Sequence, residues 1–434
     1  MKPTAICRVS ALAVASFFLV AAQIRADNWP QWRGPNNDGV CTETGLPSEW
    51  GESKNIVWKL PMPGMGSSTP AIWGDKIFFT SEVLSGTKAA DLVVMCVSTQ
   101  GKELWRRKVS SGFYRAMGGQ GNNASASPST DGKHVWFFFG TGELACFDLD
   151  GNEVWNFNAQ ERYGKFQTQW GYHTTPVLYE GKLYVQLLHS GGQWVVALDA
   201  ATGKEVWKAE RKSDGFAENE HSYASPSIWR HGKDALLVTH GNDYTIALRL
   251  NDGNEVWRIG DLNPKGKYDR TERFVASPLV TPDLIVSPSA KKGPLVAINP
   301  VDAKGLITSG SPFEKWRYKE TPDVPSPLLY DGLVYLVNAN NGMLTCLDAA
   351  TGKPQYSSER THNEKHRASP VYVDGKILVS AYDGVVTVVK PGPKFEVMAT
   401  NRLPITLTAS PVISNGRIYL RGWETLYAIS EGGK

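Results

Sequence analysis

No Cys-x-x-Cys-His occurs in this sequence, which excludes covalently attached c-type haem. Neither does a Gly-x-Ser-x-Gly elbow, a His-Glu-x-x-His zinc helix or a Gly-Lys-Ser/Thr phosphate loop, so three common catalytic signatures are missing. Cysteine is scarce, with 5 in 434 residues. Charge of one sign is never concentrated. The 46 Lys and Arg stand against 43 Asp and Glu with no basic stripe, so nucleic acid is not an expected partner. No apolar run long enough to span a membrane follows the N-terminal region. What the chain has in quantity is 42 glycines, 26 prolines and 11% aromatics, a composition that suits short strands joined by tight turns.

The first residues read as a secretory leader. Lys2 and Arg8 precede the apolar residues 9–22, and small residues offer cleavage after Ala22 or Ala26. Loss of Lys2, Arg8 and Arg25 would take the formal net charge from +3 to about zero. The expected product is exported, periplasmic or extracellular, with no integral membrane span once the leader is removed. The expected organisation is a leader over residues 1–26, an N-terminal extension over 27–54 and one repeat array over 55–434.

The array is written in one recurring block. Its clearest copy runs from Thr175-Pro176 through Gly181-Lys182 and Ala197-Leu198-Asp199 to Thr202-Gly203-Lys204-Glu205-Val206-Trp207. Ser-Pro or Thr-Pro marks recur at Pro70, Pro128, Pro176, Pro226, Pro278, Pro327, Pro370 and Pro411, which gives eight units. Each unit reads as four strands. Proline opens the first, where a missing donor costs little. The second is aromatic and β-branched, as in Leu333-Val334-Tyr335-Leu336-Val337, and the third is an apolar run, as in Trp194-Val195-Val196-Ala197-Leu198. An Asp-x-x-Thr-Gly-Lys turn leads to the fourth.

The last unit lacks its fourth strand, and residues 55–60 supply a matching segment before the first mark. Joining the two closes the array and removes the exposed sheet edges of an open stack. The spacing therefore predicts an all-β fold, an eight-bladed β-propeller of four-stranded antiparallel blades closed by an N-terminal strand. The stereotyped Gly-Lys and Thr-Gly-Lys turns fall on one face. The irregular connections, including residues 81–91 and 110–123, fall on the other, where function usually sits. The glycine-rich Met117-Gly118-Gly119-Gln120-Gly121 reads as a flexible rim loop.

Cys96, Cys146 and Cys346 occupy the repeat position filled elsewhere by Ala197, Ala247, Ala297 and Ala428. The position needs a small buried side chain, and free cysteine serves as one. Equivalent places in separate units are also too far apart for a disulfide.

The pattern Ala197-x-Asp199-x-x-Thr202-Gly203-Lys204-x-x-Trp207 resembles the tryptophan-docking repeat of pyrroloquinoline quinone (PQQ) proteins, and related copies end at Trp155, Trp257 and Lys353. Asn28-Trp29-Pro30-Gln31-Trp32-Arg33-Gly34-Pro35 looks like the start of secreted PQQ-like repeat proteins. The resemblance implies that Trp58, Trp105, Trp155, Trp207, Trp257 and Trp316 hold adjacent blades together, with Tyr356 substituting once. The same repeat builds the propeller subunit of the bacterial outer-membrane assembly machine, which binds proteins and no quinone. Quinone dehydrogenases of the family carry a vicinal cysteine pair and a calcium site of Glu, Asn and Asp; the pair is missing here and no such set can be matched. The resemblance thus leaves PQQ with calcium, and a PQQ-dependent dehydrogenase or its inactive relative, as the alternative.

Aligned on their marks, the segments entering each first strand collect polar residues near the channel mouth. The candidates are Asn123, Trp170, Tyr172, His173, His221, Tyr223, Arg273, Asp323, His366 and Arg367. His173 and His221 stand in adjacent units without a third ligand at matching spacing, so no metal site is expected. The expected function is non-catalytic: a monomer that binds an envelope protein or polymer through this face. A hydrolase or lyase using the mouth histidines is a further alternative.

Overall fold

The computed structural model describes residues 28–84, 89–112, 121–291 and 293–433. The leader expected over 1–26 lies outside the described residues, as do 85–88 of the first insert and 113–120, which hold most of the glycine-rich rim loop.

Eight sheets of antiparallel strands form the ring, and each Pro-marked unit supplies one of them. Blade 3 is the pattern. Val177–Tyr179, Lys182–His189, Gly192–Asp199 and Glu205–Glu210 pair in chain order. The third strand is buried on both faces because it lies between neighbouring blades. Blade 8 combines Val412–Ser414, Arg417–Arg421 and Thr425–Ile429 with Ile56–Pro61 from the N-terminal side. Trp58 pairs with Ala428 and Leu60 with Leu426, so the ring closes with the expected strand in the expected register.

The small repeat position has a geometric reason. Cys96, Cys146, Ala197, Ala247, Ala297 and Ala428 sit directly across from Trp105, Trp155, Trp207, Trp257, Trp316 and Trp58, and Cys346 faces Tyr356. A large side chain there would collide with the indole. A β-bulge follows in the fourth strand just before the aromatic residue, and the bulged residues Val57, Leu104, Val154 and Val206 face solvent. All four described cysteines are buried, and burial pushes the thiols of Cys96, Cys146 and Cys346 up to about 12.

Five of the tryptophans reach the next blade in the same way. The indole N–H of Trp58, Trp105, Trp155, Trp207 and Trp316 donates to a backbone carbonyl of the following Asp-x-x-Thr-Gly-type turn, at 2.9–3.0 Å. The turn glycine lies flat on the ring. A Cβ on Gly203 would stand 2.7 Å from the Trp155 indole, and the residue's φ is +66°. Gly203→Ala should therefore cost both backbone strain and displacement of the indole, roughly 2–4 kcal/mol. Gly181→Ala, at φ +71° with nothing within 4 Å, should cost only the strain, about 1 kcal/mol. Denaturant midpoints of the two variants would separate the terms, and equal losses would show that the indole contact contributes nothing.

Trp257 departs from the implied role. Blade 5 has Ala303 where blade 3 has the turn glycine Gly203, and Gly305–Ile307 leaves to pair in parallel with the fourth strand of blade 4. Trp257 is wholly buried beneath this added strand, and its indole N–H finds no acceptor.

A belt of hydrogen bonds ties the inner strands together. The backbone N–H of each mark residue donates to the side-chain hydroxyl of the next. The order is Thr69, Ser127, Thr175, Ser225, Ser277, Ser326, Ser369 and Ser410, and Ser410 returns to Thr69. The repeated Ser/Thr is this belt. The proline after it holds the mark residue extended, which keeps each hydroxyl in register with its neighbour.

The N-terminal extension does what the sequence did not suggest: it plugs the channel. Asn28 accepts from Gly74 N–H at the turn face of blade 1, and Trp29 pairs with Ile72 of the same blade. Pro30 accepts from Thr130 of blade 2, and Asn37 donates to Ser227 of blade 4. Arg33, fully desolvated, donates to Pro327 of blade 6 and to Asp38. Val40–Cys41 then runs parallel to Tyr372 and Val373 of blade 7, and Glu43 caps the Asn415-Gly416 turn of blade 8. The tip of the plug rests against the belt from the turn-face side.

Candidate functional site

With the turn face plugged, the channel becomes a one-ended cavity of about 470 Å³ whose mouth lies among the irregular loops. It is built in tiers. The floor is Trp32 from the plug, and all eight belt residues surround it. Each belt hydroxyl accepts from the preceding blade, so its own proton remains available toward the cavity.

Two residues before each mark, a second ring lines the wall. It comprises Ser67, Ser125, His173, Tyr223, Val275, Val324, Arg367 and Thr408. Unlike the belt, this ring differs from blade to blade. Blades 7, 8 and 1–4 give a polar arc, and blades 5 and 6 give an apolar one, Val275 and Val324. Neighbours within the polar arc bond to each other: Thr408 donates to Ser67 at 2.9 Å, and Ser125 hydrogen-bonds the Nδ1 of His173.

The state of His173 follows from its two contacts. Nε2 lies 2.6 Å from the carbonyl of Trp170, so that nitrogen carries the proton. Nδ1 then accepts from the Ser125 hydroxyl. Burial lowers the pKa of the imidazole, the Trp170 carbonyl opposes this in part, and the ring is neutral at pH 7.

The mouth carries the charge. Arg273 lies 5.1 Å from the Trp170 ring and 3.3 Å from Glu218, which also accepts from the Trp170 indole at 3.1 Å. Arg367 donates to the carbonyls of Ala339 and His366. Burial lowers the Arg367 pKa, and the neighbouring Asp323 carboxylate raises it again in part. Asn340 completes the rim.

Six of the ten sequence candidates meet here: Trp170, His173, Tyr223, Arg273, Asp323 and Arg367. The other four turn into the blades. Asn123 donates through its backbone and side chain to the buried Glu82, at 2.6 and 3.0 Å. Tyr172 donates to the Gln186 carbonyl and stacks on Phe166 with ring centroids 4.4 Å apart. His221 contacts Ser190 at 2.9 Å, away from the cavity. His366 is wholly buried, with Nδ1 2.9 Å from the Glu364 carbonyl. Their polarity serves loop packing. Among the described residues, no three His, Cys, Asp or Glu side chains converge as a metal site. Sequence reasoning missed the belt hydroxyls, Trp32, Ser125 and the valine arc. The signal for the second ring was a fixed offset from the mark rather than polarity.

Solved structures share this fold. BamB from Moraxella catarrhalis superposes with a TM-score of 0.62 at 14% identity, covering 86% of this chain and 99% of that one. The quinohemoprotein alcohol dehydrogenase from Comamonas testosteroni gives 0.70 at 13% identity, covering 94% and 81%. A europium-containing methanol dehydrogenase gives 0.66 at 13%, covering 91% and 89%. At these identities the likeness is one of fold. No curated protein matches the sequence. The family model described as outer membrane protein assembly factor BamB matches residues 89–358 and 191–432, and by this match the chain belongs to that family of PQQ-like repeat propellers.

Proposed function

We propose that this protein is an exported, non-catalytic binding propeller that engages an envelope protein or polymer through its loop face, as a monomer in the periplasm or outside the cell. The observation that carries the reading is the one-ended cavity. The plug seals the turn face, and charged and aromatic side chains from several blades converge at the remaining mouth. The leader-like residues 1–26 support export, and a family described as an outer-membrane assembly factor supports a protein partner. Removing Arg273 and Arg367 together, by Arg273→Ala and Arg367→Ala, is expected to cut recovery of the partner from envelope extract at least about tenfold. Lys204→Glu, on the turn face, should leave recovery unchanged. Equal recovery by all three proteins would place the binding surface elsewhere.

The fold family also implies a calcium-bound quinone. The residues present do not fit it. Among the described cavity-lining side chains only Asp323 is a carboxylate, and the Arg367 guanidinium beside it competes with a cation for that charge. None of the five cysteines neighbours another in sequence.

A further inference from the structure

The cavity is unbalanced in its hydrogen bonding. Every belt hydroxyl has already accepted a backbone N–H, and among the described residues no group accepts its proton. All eight belt residues are buried. Ser67 accepts from both Asn122 and Thr408, so its proton also remains to be donated. Arg273 and Arg367 add donors at the mouth, Arg273 paired with Glu218 and Arg367 beside Asp323. A guest that satisfies such a wall must be rich in acceptors, and a carboxylate accepts without donating. The wall is not polar throughout. Val275 and Val324 form one side, Trp32 the floor, and Trp170 and Tyr223 stand above. A fully hydrated anion would leave that surface unused.

We propose that the loop-face cavity takes a carboxylate carried on a slender apolar body, with the carboxylate held by the hydroxyl belt and the arginines and the body against the valine arc and Trp32. The inference rests on the reading of this face as the binding face and gives its guest a chemistry. Two sources share that chemistry: a small organic acid, or the C-terminal carboxylate of a partner chain ending in an apolar residue. In both, the carboxylate replaces water as acceptor for donors that are fixed before binding, so little ordering is needed.

Titration calorimetry with four probes tests it. They are 3-phenylpropionate, its amide, and the peptide acetyl-Gly-Gly-Phe with a free or an amidated C-terminus. At least one acid is expected to bind at least about tenfold more tightly than its amide, since only the acid offers charge-assisted acceptors. Tighter binding of the free peptide points to a chain terminus, and tighter binding of phenylpropionate to a small acid. Arg367→Gln should weaken the acid about tenfold and narrow its margin over the amide. Val324→Asp should abolish acid binding by placing a like charge where the body packs. The wild-type comparison of acid with amide needs no variant, so a misfolded mutant does not decide the matter. Equal binding of acid and amide overturns the proposal, as does failure of all four probes. If the probes fail while Arg273→Ala and Arg367→Ala still lose the partner, the carboxylate is wrong and the binding face stands. If partner recovery is also indifferent to those changes, both fall.

Discussion

Acidification from pH 7 to pH 4.5 is expected to destabilise the fold by a net of roughly 2–3 kcal/mol, a sizeable share of what a typical domain has. The cause is a set of histidines buried in neutral form. Burial pulls His240 down to about 3, helped by the charge of Arg211, and His189 down to about 4, helped by His221. His173, His221 and His366 shift the same way, again chiefly through burial. Both His240 and His189 are inaccessible to solvent, and His240 stacks on Phe274 with centroids 4.7 Å apart. A folded pKa below the unfolded value means that the unfolded chain binds more protons throughout the interval. Stability is therefore complete above about pH 6.5 and is lost as the pH falls toward the folded values. Each buried histidine contributes about 1.4 kcal/mol per pH unit within its window.

Three carboxyls oppose them, since burial raises Asp38, Glu82 and Glu272. Burial and then the Asp269 carboxylate raise Glu272 to about 7. The folded state holds that proton where the unfolded state has released it, so this term weakens the fold as pH rises from about 4.5 to 7. Glu272 offsets roughly 2–3 kcal/mol of the roughly 5 kcal/mol that His240 and His189 lose by pH 4.5, so the histidines prevail. Denaturant unfolding at pH 7, 5.5 and 4.5 gives the slope directly. His240→Asn should flatten it by about one histidine's share, even where the variant is less stable at pH 7. A midpoint that does not move between pH 7 and 4.5 would remove the argument.

The ring was legible in the sequence because each blade repeats the same constraints. The eight marks, the small residue opposite the tryptophan and the turn glycine recur at fixed offsets, and the strand that closes blade 8 carries the same pattern as its equivalents. The plug was not legible. Residues 28–42 have no counterpart in the repeat, and their partners include backbone groups such as Ile72, Thr130 and Pro327, which no side-chain pattern announces. The cavity was half legible. Polarity near the marks found Arg273, Asp323 and Arg367, yet it also gathered Tyr172 and His366, whose polar atoms bond a strand carbonyl and a loop carbonyl inside the blades. Polarity alone does not separate a side chain that faces a channel from one that secures a loop. The position two before the mark does, because the extended backbone there presents the same side to the channel in every blade. It includes Val275 and Val324, which no search for polar residues would retain.

Arg421→Ala is expected to cost about 3–5 kcal/mol, more than any substitution on the outer rim. Arg421 belongs to the second strand of blade 8 and is wholly buried, yet among the described residues no carboxylate pairs with it. Its guanidinium crosses to blade 1. It donates to the Ser68 hydroxyl at 2.9 Å, the Ser68 carbonyl at 3.3 Å and the Thr80 carbonyl at 2.6 Å, and lies 5.1 Å from the Phe79 ring. Burial lowers its pKa to about 9, which still leaves it charged at neutral pH. At the blade 8 to blade 1 joint, as inside blade 8, strands from opposite ends of the sequence meet. Gly66 is shaped to this side chain, since a Cβ there would fall 2.2 Å from the guanidinium. Alanine would strand two buried carbonyls and leave a cavity, and these penalties add. Methionine would refill the space without satisfying the carbonyls, so Arg421→Met should recover only part of the loss. Arg402→Ala is the control: its partner Asp383 is at 2.8 Å, but the arginine side chain is 65% exposed, and the change should stay within about 0.5 kcal/mol. Unfolding followed by tryptophan fluorescence would read all three variants. A loss below about 1 kcal/mol for Arg421→Ala would mean that the Ile56–Pro61 strand and the belt hold the joint without the buried cation.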